Sequence, residues 1–364
     1  MKHHLRPKSE VCKILLSSPT RLQGNYSQDD LLIEPIHSIQ NSRFDRLNTE
    51  ILLGRYHYML VCKVPSENKN NIIIPNYSYV GDYISTALST LYGKRFDNHG
   101  IVESSGFFWM PNYEQLITFS PHYYYPCYSN FTRKDIGINL DLRECHSIVD
   151  FALYSKNEKL FRYFFNAAKF YLSSIKSIDS DLDKAYLDLI TCGEILSNFY
   201  DYQKEELYDS DLLELMEKLV VDYQVSDKDL SKIKNRLYQV KRRFVLTLSK
   251  LINEPFFDKT ESRREDAKFT TKKQFEKSIK AAYDLRSRYV HTGFQLKDWI
   301  EIYAESEYNL SEVQIPGLIP NVDDKNLKKT IIRVPTYVGL ERVMRFALLR
   351  FLHTNGVYIH SDLD

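Results

Sequence analysis

The hydrophobic pattern of this chain changes period near Ile148, and that change limits the fold more than any other feature. Beyond it, apolar residues recur at the 3.6-residue spacing of an amphipathic helix for most of the remaining length; before it, no helical period is sustained. Helices that each carry one apolar stripe must bury it against one another, so the C-terminal part is expected to be an all-α up-and-down bundle. A chain of 364 residues has room for two ordinary domains. The expected division is an α+β domain over residues 1–149 and an all-helical domain over residues 150–364.

In the first part, runs mixing aromatic and β-favouring residues predict strands over 51–63, 71–74 and 106–110. Between them, 82–92 predicts a short helix with Ile84, Leu88 and Leu91 on one side, Asp82 as its N-cap and Gly93 as its stop. The Pro- and Tyr-rich stretch 120–131 predicts loop. Further on, helices are predicted over 151–175, 181–200, 211–223, 226–251, 272–291 and 338–352, with a short one from Trp299 and loops over 253–271 and 315–335. Phe161, Phe164, Phe165 and Phe170 form a stripe expected to be buried. Leu230, Ile233, Leu237, Val240, Phe244 and Leu248 form a second apolar band. Thr270 or Thr271 is the expected cap of the 272–291 helix, and Gly293 its left-handed terminator.

The formal net charge of +1 conceals two opposite blocks. Residues 177–227 hold three Lys against fourteen acids, a net of −11; residues 228–289 hold eighteen Lys and Arg against eight acids, a net of +10. Such segments can attract each other across a bundle, and the basic one can also draw in a polyanion. The five cysteines are scattered without a CxxC pair, which predicts reduced thiols rather than a zinc or dithiol site. The apolar run near the start is too short and interrupted for a secretory signal, and no stretch has the length to span a bilayer; a cytoplasmic location is the corresponding expectation. The glycines of a P-loop do not precede Gly93-Lys94, and neither HExxH nor GxSxG occurs.

The informative string is AAYDLRSRYVHTG, residues 281–293. Arg286 and His291 are five apart, about 140° around a helix, a gap that the length of arginine partly spans. Arg288 and His291 are closer at i,i+3, and Asp284 is placed at i,i+4 to fix Arg288. The set suits phosphodiester chemistry. A guanidinium fork can hold a phosphate and stabilise charge added during attack, and an imidazole can accept or donate a proton near neutrality. In RNA the internal nucleophile would be the ribose 2′-hydroxyl. Whether His291 would bind phosphate, donate a proton or accept one is left open.

This string resembles the RxxxxH signature of the HEPN superfamily. Tyr283, Asp284, Arg286, Ser287, Val290, His291 and Gly293 look like the Apea-like HEPN version, in which a helix ends in a similar Tyr-x-x-Arg-Ser-x-x-Val-His-x-Gly sequence. The segment KAYLDLITCGEILSNFY, with Glu194 among aliphatic residues, is similar to an earlier helix of that family. The resemblance covers residues 150–355 or so and implies a HEPN-type helical bundle that dimerises, bringing two signature helices to one cleft. It implies Arg286 on the scissile phosphate, His291 in proton transfer, Ser287 at the polar position after the arginine and Glu194 as an orienting group, with Asp284 and Arg288 in support. It implies no metal and no cofactor. The N-terminal region, around GDYISTALSTLYGKRFDNHG, looks like the domain that precedes some Apea-like HEPN domains, and a sensor or substrate-recognition role is expected of it.

The leading expectation is therefore a metal-independent endoribonuclease that leaves 2′,3′-cyclic phosphate and 5′-hydroxyl ends, in antiphage defence or a stress response. Its expected partners are RNA, a second copy of the chain and a phage-derived or cellular trigger, with no membrane. Two other readings stand beside it. One is a noncatalytic dimerisation module that binds RNA or nucleotides; the other is a defence component that stays silent until a phage protein is sensed.

Overall fold

The computed structural model describes residues 9–36, 55–65, 76–104, 106–113, 125–208, 210–226, 228–230, 233, 240–301, 304–306, 309–315, 317–318 and 322–364. Side chains alternate along a strand, so Ser9–Ser18 (β1) turns Cys12, Ile14 and Leu16 to one face, where all three are buried. β1 is an inner strand of a six-stranded antiparallel sheet. The others are Tyr26–Ser27 (β2), Leu31–Pro35 (β3), Tyr56–Pro65 (β4), Asp97–Ser104 (β5) and Phe107–Phe108 (β6), in the order β2-β3-β4-β1-β5-β6. β1 and β4 pair along their whole length, with Cys12 opposite Cys62. The strand predicted over 51–63 is present as β4, and the one over 106–110 shortens to β6. Residues 51–54 and 71–74 lie outside the described residues.

The helix Ser78–Tyr92 (α1) packs on β1 and β5. It begins a turn before the predicted start, and Asp82 is not its cap: the Asp82 carboxylate lies inside the helix and accepts a 2.9 Å hydrogen bond from Asn98 Nδ2. The predicted stop holds, with Gly93 at φ 61°. A side chain there would be strained by the backbone and would also meet the Arg133 and Arg345 guanidinium groups at under 3 Å.

The second part is helical: His146–Tyr154 (α2), Glu158–Ser177 (α3), Leu182–Ser197 (α4), Lys204–Leu207 (α5), Ser210–Val221 (α6), Val240–Leu251 (α7), Glu254–Asp258 (α8), Lys272–Thr292 (α9), Lys297–Ile300 (α10), Lys325–Ile331 (α11) and Tyr337–Thr354 (α12). A two-stranded hairpin, Ala304–Ser306 (β7) with Asn309–Leu310 (β8), follows α10 where the sequence pattern predicts that the short helix from Trp299 continues. The predicted 151–175 helix is two. Ser155 is extended, and the Asn157 side chain accepts from Leu160 N at 3.0 Å, restarting the helix as α3. The predicted loops contain α8 and α11; the latter is capped by Asp324, which accepts from the backbone of Asn326 and Leu327. Phe164 and Phe165 are buried and Phe161 and Phe170 partly so, whereas Ile233 is exposed rather than core-facing; Leu237 lies outside the described residues.

One continuous hydrophobic core runs from the sheet through α1 into α3, α4, α7, α9 and α12. α12 is buried on all sides over most of its length, yet it carries Glu341, Arg342 and Arg345 within that core. Each is paired. Arg345 Nη1 donates to Asp135 at 2.5 Å, and its other nitrogens donate to the carbonyls of Thr90 and Leu91, the open end of α1. Arg133 binds both oxygens of Glu341 at 2.8 and 2.7 Å, takes Glu261 at 2.6 Å and donates to the Gly93 carbonyl. Arg342 pairs with Glu312 at 2.7 Å, donates to the carbonyls of Phe256 and Lys259, and stacks 3.7 Å over the Phe256 ring.

Removing one partner of such a network strands the rest. Arg133→Met leaves Glu261 and Glu341 buried without their shared cation and is expected to lower stability by about 3–5 kcal/mol in urea unfolding. A loss below about 1 kcal/mol would contradict the account.

Lys94, fully buried beside this network, donates to the Pro126 carbonyl at 2.6 Å and to Ser129 Oγ at 2.9 Å. Burial, then the nearby Arg133 charge, pulls its ammonium pKa down to about 7. An unfolded lysine holds its proton to about pH 10, so between those values the unfolded state binds more protons and stability contributed by this group rises with pH. The stability of the wild type relative to Lys94→Met is expected to increase from pH 7 to pH 10. A difference flat with pH would show that Lys94 stays charged in the fold.

Candidate functional site

α9 is capped at its start by Thr271, whose hydroxyl accepts from Gln274 N at 3.2 Å, and stopped by Gly293 at φ 69°, whose N–H donates to the Tyr289 carbonyl at 2.8 Å. Its burial falls along its length. Phe275, Ile279, Ala282 and Leu285 are in the core, Arg286, Ser287, Arg288 and Tyr289 are half-buried, and His291 is exposed. The helix thus leaves the core through the segment 286–291, which places polar side chains at the rim.

Glu194 of α4 is the hub of this rim. Its Oε2 lies 3.6 Å from Arg286 Nη2, and its Oε1 accepts a 2.8 Å hydrogen bond from the Tyr283 hydroxyl. The Arg286 guanidinium also lies 5.6 Å from the centre of the Tyr283 ring. Burial, reinforced by the Glu194 carboxylate, raises the Tyr283 hydroxyl to about 12, so it remains a neutral donor. The approach of α4 to α7 depends on Gly193, where a Cβ would meet the Phe244 ring at 2.5 Å. Phe244 in turn packs on Tyr283, with ring centres 5.4 Å apart.

The other candidates take different partners from those expected. Asp284 and Arg288 do not pair along the helix: Asp284 is salt-bridged to Lys241 of α7, and Arg288 lies 3.5 Å from Asp324 at the cap of α11 and 6.0 Å from the Phe294 ring centre. Interhelical carboxylates and cations outcompete the i,i+4 contact because both side chains reach beyond their own helix. Ser287 is half-buried in the same turn. No hydrogen bond, ion pair or ring contact joins Arg286 to His291 among the described residues; they are about 7.5 Å apart along the axis by helical rise. Ion pairs Arg286–Glu194 and Lys250–Glu206 link the basic and acidic blocks.

From sequence, Tyr283 is named within the signature but given no role, although its position three residues before Arg286 puts both on one helix face. Lys241 and Asp324 carried no local signal. All five cysteines are buried and free, and among the described residues no group of three or more His, Cys, Asp or Glu is placed to hold a metal ion. Among the same residues no helix is long and apolar enough to cross a membrane. Comparison with models of protein families, with curated proteins and with solved structures found no match.

The Glu194 hub can be measured by a double-mutant cycle of Glu194→Gln and Tyr283→Phe. A hydrogen bond to a charged acceptor at a half-buried site should give a coupling of about 1 kcal/mol in urea unfolding. Additive losses would mean that the two side chains do not act as a unit.

Proposed function

We propose that this chain is a HEPN-type endoribonuclease of the Apea-like group, cleaving RNA without a metal ion to 2′,3′-cyclic phosphate and 5′-hydroxyl ends in antiphage defence or a stress response. The observation that carries the reading is the position of the signature residues at the rim of α9. Arg286 is held by Glu194 over the Tyr283 ring, with its guanidinium partly open to solvent, and His291 is exposed in the last turn without a partner among the described residues. A guanidinium fixed in this way loses little freedom when a phosphate arrives and can stabilise charge developing on it. Because Arg286 and His291 of one chain are not in contact, the reading calls for a homodimer in which one protomer's arginine meets its partner's histidine at the same phosphate. On this reading RNA is the substrate, and residues 1–149 recognise it or a phage-derived or cellular trigger in the cytoplasm.

The test is purified protein with total RNA in chelator, with and without phage lysate. Wild type is expected to cut, leaving 5′-hydroxyl ends that a kinase can label. Arg286→Ala and His291→Ala should each lower the rate by about 10²–10⁴-fold with helical content preserved. Undiminished cutting by both variants, or none by wild type in either condition, overturns the proposal. Cutting seen only with lysate identifies the trigger-dependent form.

A second reading is favoured by the Arg286–Glu194 pair itself, which also suits an arginine that holds two helices together in a noncatalytic RNA-binding module. RNA binding that survives His291→Ala, with no cleavage by wild type, selects it.

A further inference from the structure

A groove of about 870 Å³ runs between α1 and α3, with one wall from each half of the chain. Tyr83 packs on Phe161 and Phe165, and Arg95, just beyond the end of α1, reaches Asp179, just beyond the end of α3. The two helices therefore run side by side in the same direction, and the groove has unlike ends. At the first lie the rings of Tyr79, Tyr83 and Phe161, with Tyr79 exposed at the mouth.

A row of cations runs from this end to the second. Arg162, Lys169 and Lys176 line one side of α3 at seven-residue intervals, two turns or about 10 Å apart. Asn166 and Ser173 fill the same row between them. Lys169 makes no hydrogen bond or ion pair among the described residues, and Arg162 lies against the Tyr163 ring with no carboxylate partner there. Two of the cations at the second end, Arg95 and Lys176, share with the buried Arg55 the carboxylate of Asp97, which does not itself line the groove. Asp179 meets Arg95 at 3.8 Å and accepts from the Tyr128 hydroxyl. The remaining acid, Asp82, accepts from Asn98 at the aromatic end.

A volume of this size suits a small molecule rather than a protein segment. Rings at one end call for a flat π surface, and a row of cations leading from it calls for several anionic groups in line. We infer that the groove between α1 and α3 binds a nucleoside polyphosphate, with the base against Tyr79 and Tyr83 and the phosphates along Lys169, Lys176 and Arg95. The site is independent of the α9 rim and of the nuclease reading.

Titration calorimetry of the full chain with ATP, GTP, CTP and UTP, with adenosine and with inorganic tripolyphosphate, tests the inference. At least one triphosphate should bind with a Kd of about 10–100 µM. Adenosine and tripolyphosphate should each bind about tenfold or more weaker, since each lacks half of the recognised features. Lys169→Glu, at an exposed position, should weaken the triphosphate about tenfold while the melting temperature of the free protein stays unchanged. Tyr79→Ala should weaken the triphosphate but not tripolyphosphate. The inference is overturned if no triphosphate binds tighter than about 1 mM, if Lys169→Glu keeps wild-type affinity, if tripolyphosphate alone binds as tightly as any nucleotide, or if a long single-stranded RNA is preferred over all four triphosphates.

Discussion

The fold depends on how the open end of α1 is closed. The last carbonyls of a helix have no partner within it, and when that end is buried something must donate to them. Here the donors are the guanidinium groups of Arg345 and Arg133, which take the carbonyls of Thr90, Leu91 and Gly93. Neither arginine could be buried alone. Asp135 neutralises the first; Glu261 and Glu341 neutralise the second. The helix lying on the N-terminal sheet is thus terminated by a side chain from the last helix of the chain, and one polar network serves as cap, ion-pair cluster and joint between the two halves. A network of this kind contributes position more than net free energy, because desolvation offsets much of the attraction. What it specifies is register: Arg345 meets its three partners only if α12 sits at one depth against α1.

That fixed frame explains why an exposed rim can still have defined geometry. α4 is tied at both ends. Near its start, Asp183 accepts from the Leu296 backbone in the segment that follows α9, and Lys184 donates to Ser173 and Ser177 of α3. Near its end, Glu194 takes Tyr283 and Arg286. With α4 held by α3 on one side and by both ends of the α9 exit on the other, the Glu194 carboxylate has little freedom to follow solvent. The Arg286 guanidinium inherits that order although nearly a third of its side chain is accessible.

Helix-end signals were legible in the sequence and long-range ones were not; the strands β1 and β3 were not foreseen either, although Cys12, Ile14 and Leu16 alternate along β1. α9 could be read almost residue for residue: it has a threonine cap, a regular apolar stripe and a glycine stop, all within one segment. The end of α1 at Gly93 was legible for the same reason. The break at 155–157 was not, although residues 155–159, Ser-Lys-Asn-Glu-Lys, carry no apolar side chain, because strong apolar stripes flank it on both sides; in the fold the Phe151 ring stacks on Phe165 across the gap. β5 escaped notice because Asp97 and His99 are buried in it, and buried polar residues mimic a loop in pattern. At the rim, the placement of Arg286 and His291 on one helix followed from spacing. The partners of Asp284 and Arg288 did not, since Lys241 and Asp324 come from elsewhere in the chain and the short-range i,i+4 rule pairs Asp284 with Arg288 instead.

The same distinction separates what is common in such a bundle from what is particular to this one. Apolar stripes alone would let α12 slide or rotate by a residue at modest cost, since one aliphatic side chain replaces another in a core of about the right volume. Glu341, Arg342 and Arg345 remove that freedom. Glu341 and Arg342 are neighbours on α12 and Arg345 lies about one turn further on, and each must find a different partner: Arg133, Glu312 and Asp135. Shifting α12 by one residue would strand all three charges in the core together, at several kcal/mol each. The groove between α1 and α3 and the α9 rim are therefore built around a helix, α12, whose depth against α1 is set by charge, while the aromatic contacts of α1 with α3 and the close fit at Gly193 set the rest by shape.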